Sequence, residues 1–105
     1  MKESLKALLA PKSSVFELGQ GVSVQIRELS LRERIAWRSE SIGPDGKLGD
    51  DWVQNLLFRA VRDDDGNPVW ERPEDVDGSE SVLGKLLEAV QGVNGLGADK
   101  AQEGN

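Results

Sequence analysis

The sequence predicts an α+β fold that is mostly helical, with an N-terminal β-hairpin packed on about three α-helices. Three observations carry this reading. Two short apolar runs, Val15–Leu18 and Val22–Arg27, flank Gly19-Gln20-Gly21, and the second alternates apolar and polar residues with the period of a strand. Ser30-Leu31-Arg32-Glu33 has the Ser-x-x-Glu spacing in which a hydroxyl and a carboxylate satisfy each other's backbone donors at a helix start. Residues 52–61 and 82–90 repeat apolar side chains with helical spacing.

Taken in order, Glu3–Leu9 can form two helical turns with Leu5, Leu8 and Leu9 on one side, ended by Pro11, which has no amide hydrogen to donate. The hairpin follows. A lone hairpin is marginal in water, so its apolar face of Val22, Val24 and Ile26 must lie on helices or pair with another strand. A helix is expected from about Leu31 to near Gly43-Pro44, then a loop over 42–49, with Asp50 or Asp51 available to cap the next helix. That helix, Trp52–Arg62, carries the broad stripe Trp52, Val53, Leu56, Leu57, Ala60 and Val61 and is the expected centre of the core. Asp63–Pro68 reads as a polar turn, Val69-Trp70 as a short extended piece packed back on the hairpin, and 71–80 as acidic and irregular. The last helix is expected from about Glu80 to Gln91, with Gly92, Gly95 and Gly97 ending it. Residues 1–97 are read as one domain and 98–105 as a flexible polar tail.

Composition narrows the chemistry. The chain has 105 residues, no Cys and no His, so a disulfide, a thiolate nucleophile, a Ser-His-Asp arrangement and a Cys/His zinc site are all excluded. Thirteen basic residues against 19 acidic ones give a net charge of −6, which opposes phosphate binding and argues against a nucleic-acid partner. No apolar run approaches the roughly 18 residues of a membrane span, so no membrane partner is expected. The charge is uneven: residues 1–38 hold seven basic and four acidic groups, and residues 39–105 hold six basic and fifteen acidic ones. Such polarity favours contacts between copies, although two ordinary solvated faces would look the same.

The acidic run Asp63-Asp64-Asp65-Gly66 invites a calcium reading. With Asp63 and Asp65 at the third and fifth positions of an EF-hand loop, the first position is Val61 and the twelfth Arg72. An apolar residue and a cation stand where oxygens are needed, and a turn is the better reading. Nineteen carboxylates offer no pair selected by spacing or by apolar neighbours for acid–base work. No metal, cofactor or catalytic residue is therefore assigned, and no enzyme is expected.

Two aromatics stand out by position. On the helix starting at Leu31, the residues Leu31, Ile35 and Ile42 lie within about 40° of one another, and Trp37 falls about 140° from their centre. Phe58 lies about 150° from the stripe of its own helix. Both imply a second packing surface, either within the chain or with another protein. Trp37, Phe58, Arg34 and Arg38 are the candidate partner-binding residues.

The succession Phe16-x-Leu18-Gly19-x-Gly21-Val22-x-Val24-x-Ile26-Arg27-Glu28-Leu29-Ser30-Leu31-Arg32-Glu33-Arg34 resembles the opening of the tail assembly chaperones of long-tailed bacteriophages. Asp64-Asp65-Gly66-Asn67-Pro68-Val69-Trp70 is similar to that family's acidic-glycine turn, and the acidic stretch, the final amphipathic helix and Asn94-Gly95-Leu96 follow in the same order. The resemblance implies a phage or prophage protein of the host cytoplasm that binds the tape measure protein and recruits tail tube subunits. It also implies absence from the mature virion, while self-association is expected from the small size and the uneven charge. A minor structural protein of the tail, or a head–tail connector, is the alternative of a different class, and an antitoxin-like module has less support from the order of elements.

Overall fold

The first two strands meet at a turn whose backbone favours glycine. Gly19, Gln20 and Gly21 all have positive φ, 102°, 56° and 76° respectively, a region that side-chain-bearing residues enter at a cost. In the computed structural model, which describes residues 2–95, this turn joins β1 (Ser13–Gly19) to β2 (Val22–Arg27). The strands are antiparallel, with Phe16 opposite Val24, and a bulge between Glu17 and Gly19 brings the chain into the turn. Val24 and Ile26 point to one face and are buried, Ile26 completely, with Phe16 and Leu18 packed beside them. Val22, expected on the same face, is 51% exposed at the turn end of β2.

The fold is α+β, with four α-helices and a three-stranded antiparallel sheet of order β1-β2-β3. The helices are α1 (Lys2–Leu9), α2 (Leu31–Ser41), α3 (Trp52–Ala60) and α4 (Glu80–Asn94), with a short 3-10 turn at Pro73–Asp75. Helix α3 sits centrally, in contact with α2, α4, β2 and the 3-10 turn, while α4 lies across β1 and β2. Leu56, Leu57 and Ala60 of α3 are inaccessible to solvent, as the stripe requires. Val76, just after the 3-10 turn, enters the same core, and its carbonyl accepts a bond from Gln54 Nε2 at 3.0 Å. Helix α1 buries none of its residues and leaves Leu5, Leu8 and Leu9 exposed.

Several expected boundaries are corrected. The helix expected to reach Arg62 stops at Ala60, and Val61–Arg62 forms β3, pairing with Gln25 and Ile26 of β2. Val61 is β-branched and stays fully buried in the extended form, so the stripe survives the change of backbone. The hairpin's apolar face is thus both paired with a strand and covered by helices. Asp51 occupies the cap position of α3 but makes no capping hydrogen bond. Val69-Trp70 is not a strand, but Trp70 packs against the core that includes Val24, Ile26 and Val61; Pro68 bridges to Arg62, and Gln25 Nε2 ties the preceding loop to β2 through the Asp64 carbonyl at 3.0 Å.

Helix α4 runs through Gly92 to Asn94 and is closed by Gly95 in the left-handed conformation. Asn94 explains the extension. Its side chain is buried, accepts from the Leu29 amide at 2.6 Å, and donates to the carbonyls of Val90 at 3.0 Å and Arg27 at 3.2 Å. The end of α4 is thereby fastened to the segment joining β2 and α2. The expected tail, 98–105, and Gly97 lie outside the described residues. Among those residues no helix is long and apolar enough to cross a membrane.

Candidate functional site

The site is built on α2, and its orientation is set at the first turn. Ser30 Oγ accepts from the Glu33 amide at 3.1 Å while Glu33 Oε1 accepts from the Ser30 amide at 3.0 Å, the reciprocal box read from the sequence. Glu33 also accepts from Arg27 Nη2, at 2.8 and 3.0 Å, so the helix start is tied to β2. Partial burial opposes the Glu33 charge. The Ser30 amide, the Arg27 guanidinium and the Ser30 hydroxyl outweigh it and hold the carboxyl below its ordinary value of 4.5. Next to this pair, burial and then the charge of Arg27 lower the Arg62 pKa, with Glu33 working in the opposite direction.

The inward line of α2 continues at spacings of four. Trp37 is 4% exposed, donates from Nε1 to the Trp52 carbonyl at 3.0 Å, and meets the Trp52 ring edge to face at 6.4 Å. Ser41 is buried and accepts from Asn55 Nδ2 at 3.1 Å. Residues 33, 37 and 41 fall within about 80° of one another on the helix, so a single line of contacts holds α2 against β2 and α3.

The opposite side of α2 is uncovered. Leu31 is 76% exposed, Ile35 57% and Ile42 39%. The aliphatic stripe, which helical periodicity alone would turn inward, faces outward, and Trp37 faces the core. For Trp37 the second packing surface lies within the chain, against Trp52. Phe58 is half-buried, packs against the core, and does not line the α2 face.

Arg34 and Arg38 do belong to that face. With Leu31, Ile35, Ser39 and Ile42 they line an open groove of about 470 Å³. A second groove of about 350 Å³ adjoins it, sharing Arg38 and Ile42 and adding Trp37, Gly46, Leu48, Trp52 and Gln91. Arg38 is exposed, while Arg34 is half-buried and donates to the Asn94 carbonyl. The two grooves therefore bring three of the four candidates, Arg34, Arg38 and Trp37, together with three aliphatic residues, Leu31, Ile35 and Ile42. The signal for those three was present as an apolar stripe, but a stripe carries no mark of what covers it.

The acidic run sits elsewhere and is used by its own turn. The Asp63, Asp64 and Asp65 carboxylates come within 4.8 Å of one another, and Asp63 Oδ1 accepts from the amides of Asp65 and Asn67, both at 2.9 Å. Gly66, with φ 87°, completes the loop.

Among solved structures, the bacteriophage HK97 tail assembly chaperone superposes on this chain with a TM-score of 0.54, at 22% sequence identity, over 87% of this chain and 97% of that one. The chain has the fold of a phage tail assembly chaperone. No protein-family model matches the sequence, and no curated protein matches it either. The tail assembly chaperone fold is thus visible in the order and packing of the elements, where pairwise sequence identity is low.

Proposed function

We propose that this chain is a phage tail assembly chaperone, acting in the host cytoplasm by binding the tape measure protein and recruiting tail tube subunits, and absent from the mature virion. The observation that carries the reading is the likeness to the HK97 tail assembly chaperone over nearly the whole of that protein. The surface of the molecule fits such work. Two helices, α1 and α2, present leucine and isoleucine side chains to solvent, and apolar helix faces are what an elongated helical client needs covered. The net charge of −6 keeps a protein with such faces dispersed. The role is binding without turnover, and self-association belongs to it, favoured by the basic first third and the acidic remainder.

Co-expression with the product of the long helical reading frame expected downstream, followed by affinity purification, tests the reading. Recovery of that product with this chain, and absence of this chain from purified virions by mass spectrometry, is the expected result. Failure to co-purify, or recovery from virions in stoichiometric amount, overturns it, and the second outcome assigns a minor structural protein of the tail or a head–tail connector instead.

A further inference from the structure

We infer that the outer face of α2 is the docking site for one amphipathic helix of a partner protein, with acidic residues flanking the partner's apolar stripe. This rests on the chaperone reading and deepens it, since it names the surface and the chemistry of what the surface takes. The face is helix-sized: eleven residues at about 1.5 Å each give roughly 16 Å of length, or three turns of an incoming helix. Leu31, Ile35 and Ile42 supply its apolar floor, and the adjoining groove extends it to Leu48.

The charges select the occupant. Every ionised residue lining the two grooves is a cation, Arg34 or Arg38, in a chain whose net charge is −6. Arg38 lies within about 40° of the centre of the apolar stripe, so a docked helix must pass beside it. The described ion pairs are Arg27–Glu33, Arg59–Glu40 and Arg72–Asp75, and neither Arg34 nor Arg38 has a carboxylate partner among the described residues. A helix bringing Asp or Glu beside its apolar stripe pairs with these guanidiniums. One bringing Lys or Arg is repelled as the site dries.

A second copy of this chain fits poorly. Docking α2 on α2 sets Arg38 against cations of the same kind. The other exposed helix face, Leu5, Leu8 and Leu9 of α1, carries Lys2 and Lys6 against one acid, Glu3. The stripes of α3 and α4 are engaged in the core.

The test uses the full chain and two synthetic amphipathic peptides of about 18 residues, long enough to form a helix on binding. Both have the same leucine stripe, flanked by Glu in one and by Lys in the other. By titration calorimetry the Glu peptide is expected to bind at least about tenfold more tightly than the Lys peptide. Arg38→Glu should reverse that preference, and Ile35→Asp should weaken the Glu peptide about tenfold or more. Both side chains are exposed, so both variants should keep the parent melting temperature. Equal affinity for the two peptides, no binding of either, or an unchanged preference in Arg38→Glu overturns the inference. So does loss of self-association in these variants by analytical ultracentrifugation, which would make the face a contact between copies. The peptides need no phage protein, so the two readings fail separately. Charge-selective binding without a co-purifying tail protein removes the chaperone role and leaves the face. Co-purification that survives both substitutions keeps the role and removes the face.

Discussion

Helices α2 and α3 lie against each other, each carries an apolar stripe, and they use those stripes in opposite ways. Helix α3 turns Leu56, Leu57 and Ala60 into the centre of the molecule. Helix α2 turns Leu31 and Ile35 to solvent, with Ile42 exposed beside them at its C-cap, and is held by Glu33, Trp37 and Ser41 instead. Rotating α2 by about 140° would bury three aliphatic side chains, at about 1.5–3 kcal/mol each if burial were complete. The same rotation would expose Trp37, whose ring buries on the order of 150–250 Å². It would also leave Asn55 buried without Ser41 and separate Glu33 from Arg27. Hydrophobic terms of similar size oppose one another, and the polar contacts decide. A helix is turned by the side that has specific partners, and the aliphatic side is left to solvent.

The largest expected effect tests the inward side of that contrast. Trp37→Ala should lower stability by about 3–5 kcal/mol in urea denaturation, since it removes a core aromatic together with its bond to the Trp52 carbonyl. A variant as stable as the parent would mean that Trp37 does not anchor α2. Asn94→Ala comes next. It leaves the Leu29 amide buried without an acceptor and should cost about 1–3 kcal/mol, with hydrogen exchange rising at the end of α4 and the start of α2.

Acid provides a gentler probe of the helix start. Folding holds the Glu33 carboxyl below its ordinary value of 4.5, so in acid the unfolded chain takes up this proton first. The stabilisation is complete above about pH 4.5 and is lost as pH falls through the depressed folded value. Glu33→Gln keeps an acceptor but no charge, and its melting temperature should depend less on pH in that window than the parent's. The smallest effect belongs to the outer face. Leu31→Ser should change stability by no more than about 0.5 kcal/mol, because 76% of the residue is already in water. A larger loss would show that the α2 stripe contributes to the core after all, and would erase the contrast with α3.

Much of the fold is legible in the order of the residues. The glycine turn of the hairpin, the box at Ser30 and Glu33, the stripe of α3 and the start of α4 all follow from contacts between residues a few positions apart. The missed features involve long separations. Val61–Arg62 became a strand because Ile26 and Gln25 lie beside them, and α4 passed Gly92 because Asn94 finds Leu29 and Arg27 across 65 and 67 positions. For the site, Trp37, Phe58, Arg34 and Arg38 were read as candidates, while Leu31, Ile35 and Ile42 were read only as one stripe of the helix.

Local chemistry in the chain thus settles which segments are helices and strands, where they start, and that the molecule carries neither thiol nor imidazole. These depend on backbone torsions, side-chain period and composition, all short-range quantities. Which way α2 faces, and so which apolar residues remain in solvent, is settled only when Trp37 meets Trp52 and Ser41 meets Asn55. Those contacts close loops of 15 and 14 positions between helices, and a hydrogen bond forms only where folding has set donor and acceptor face to face.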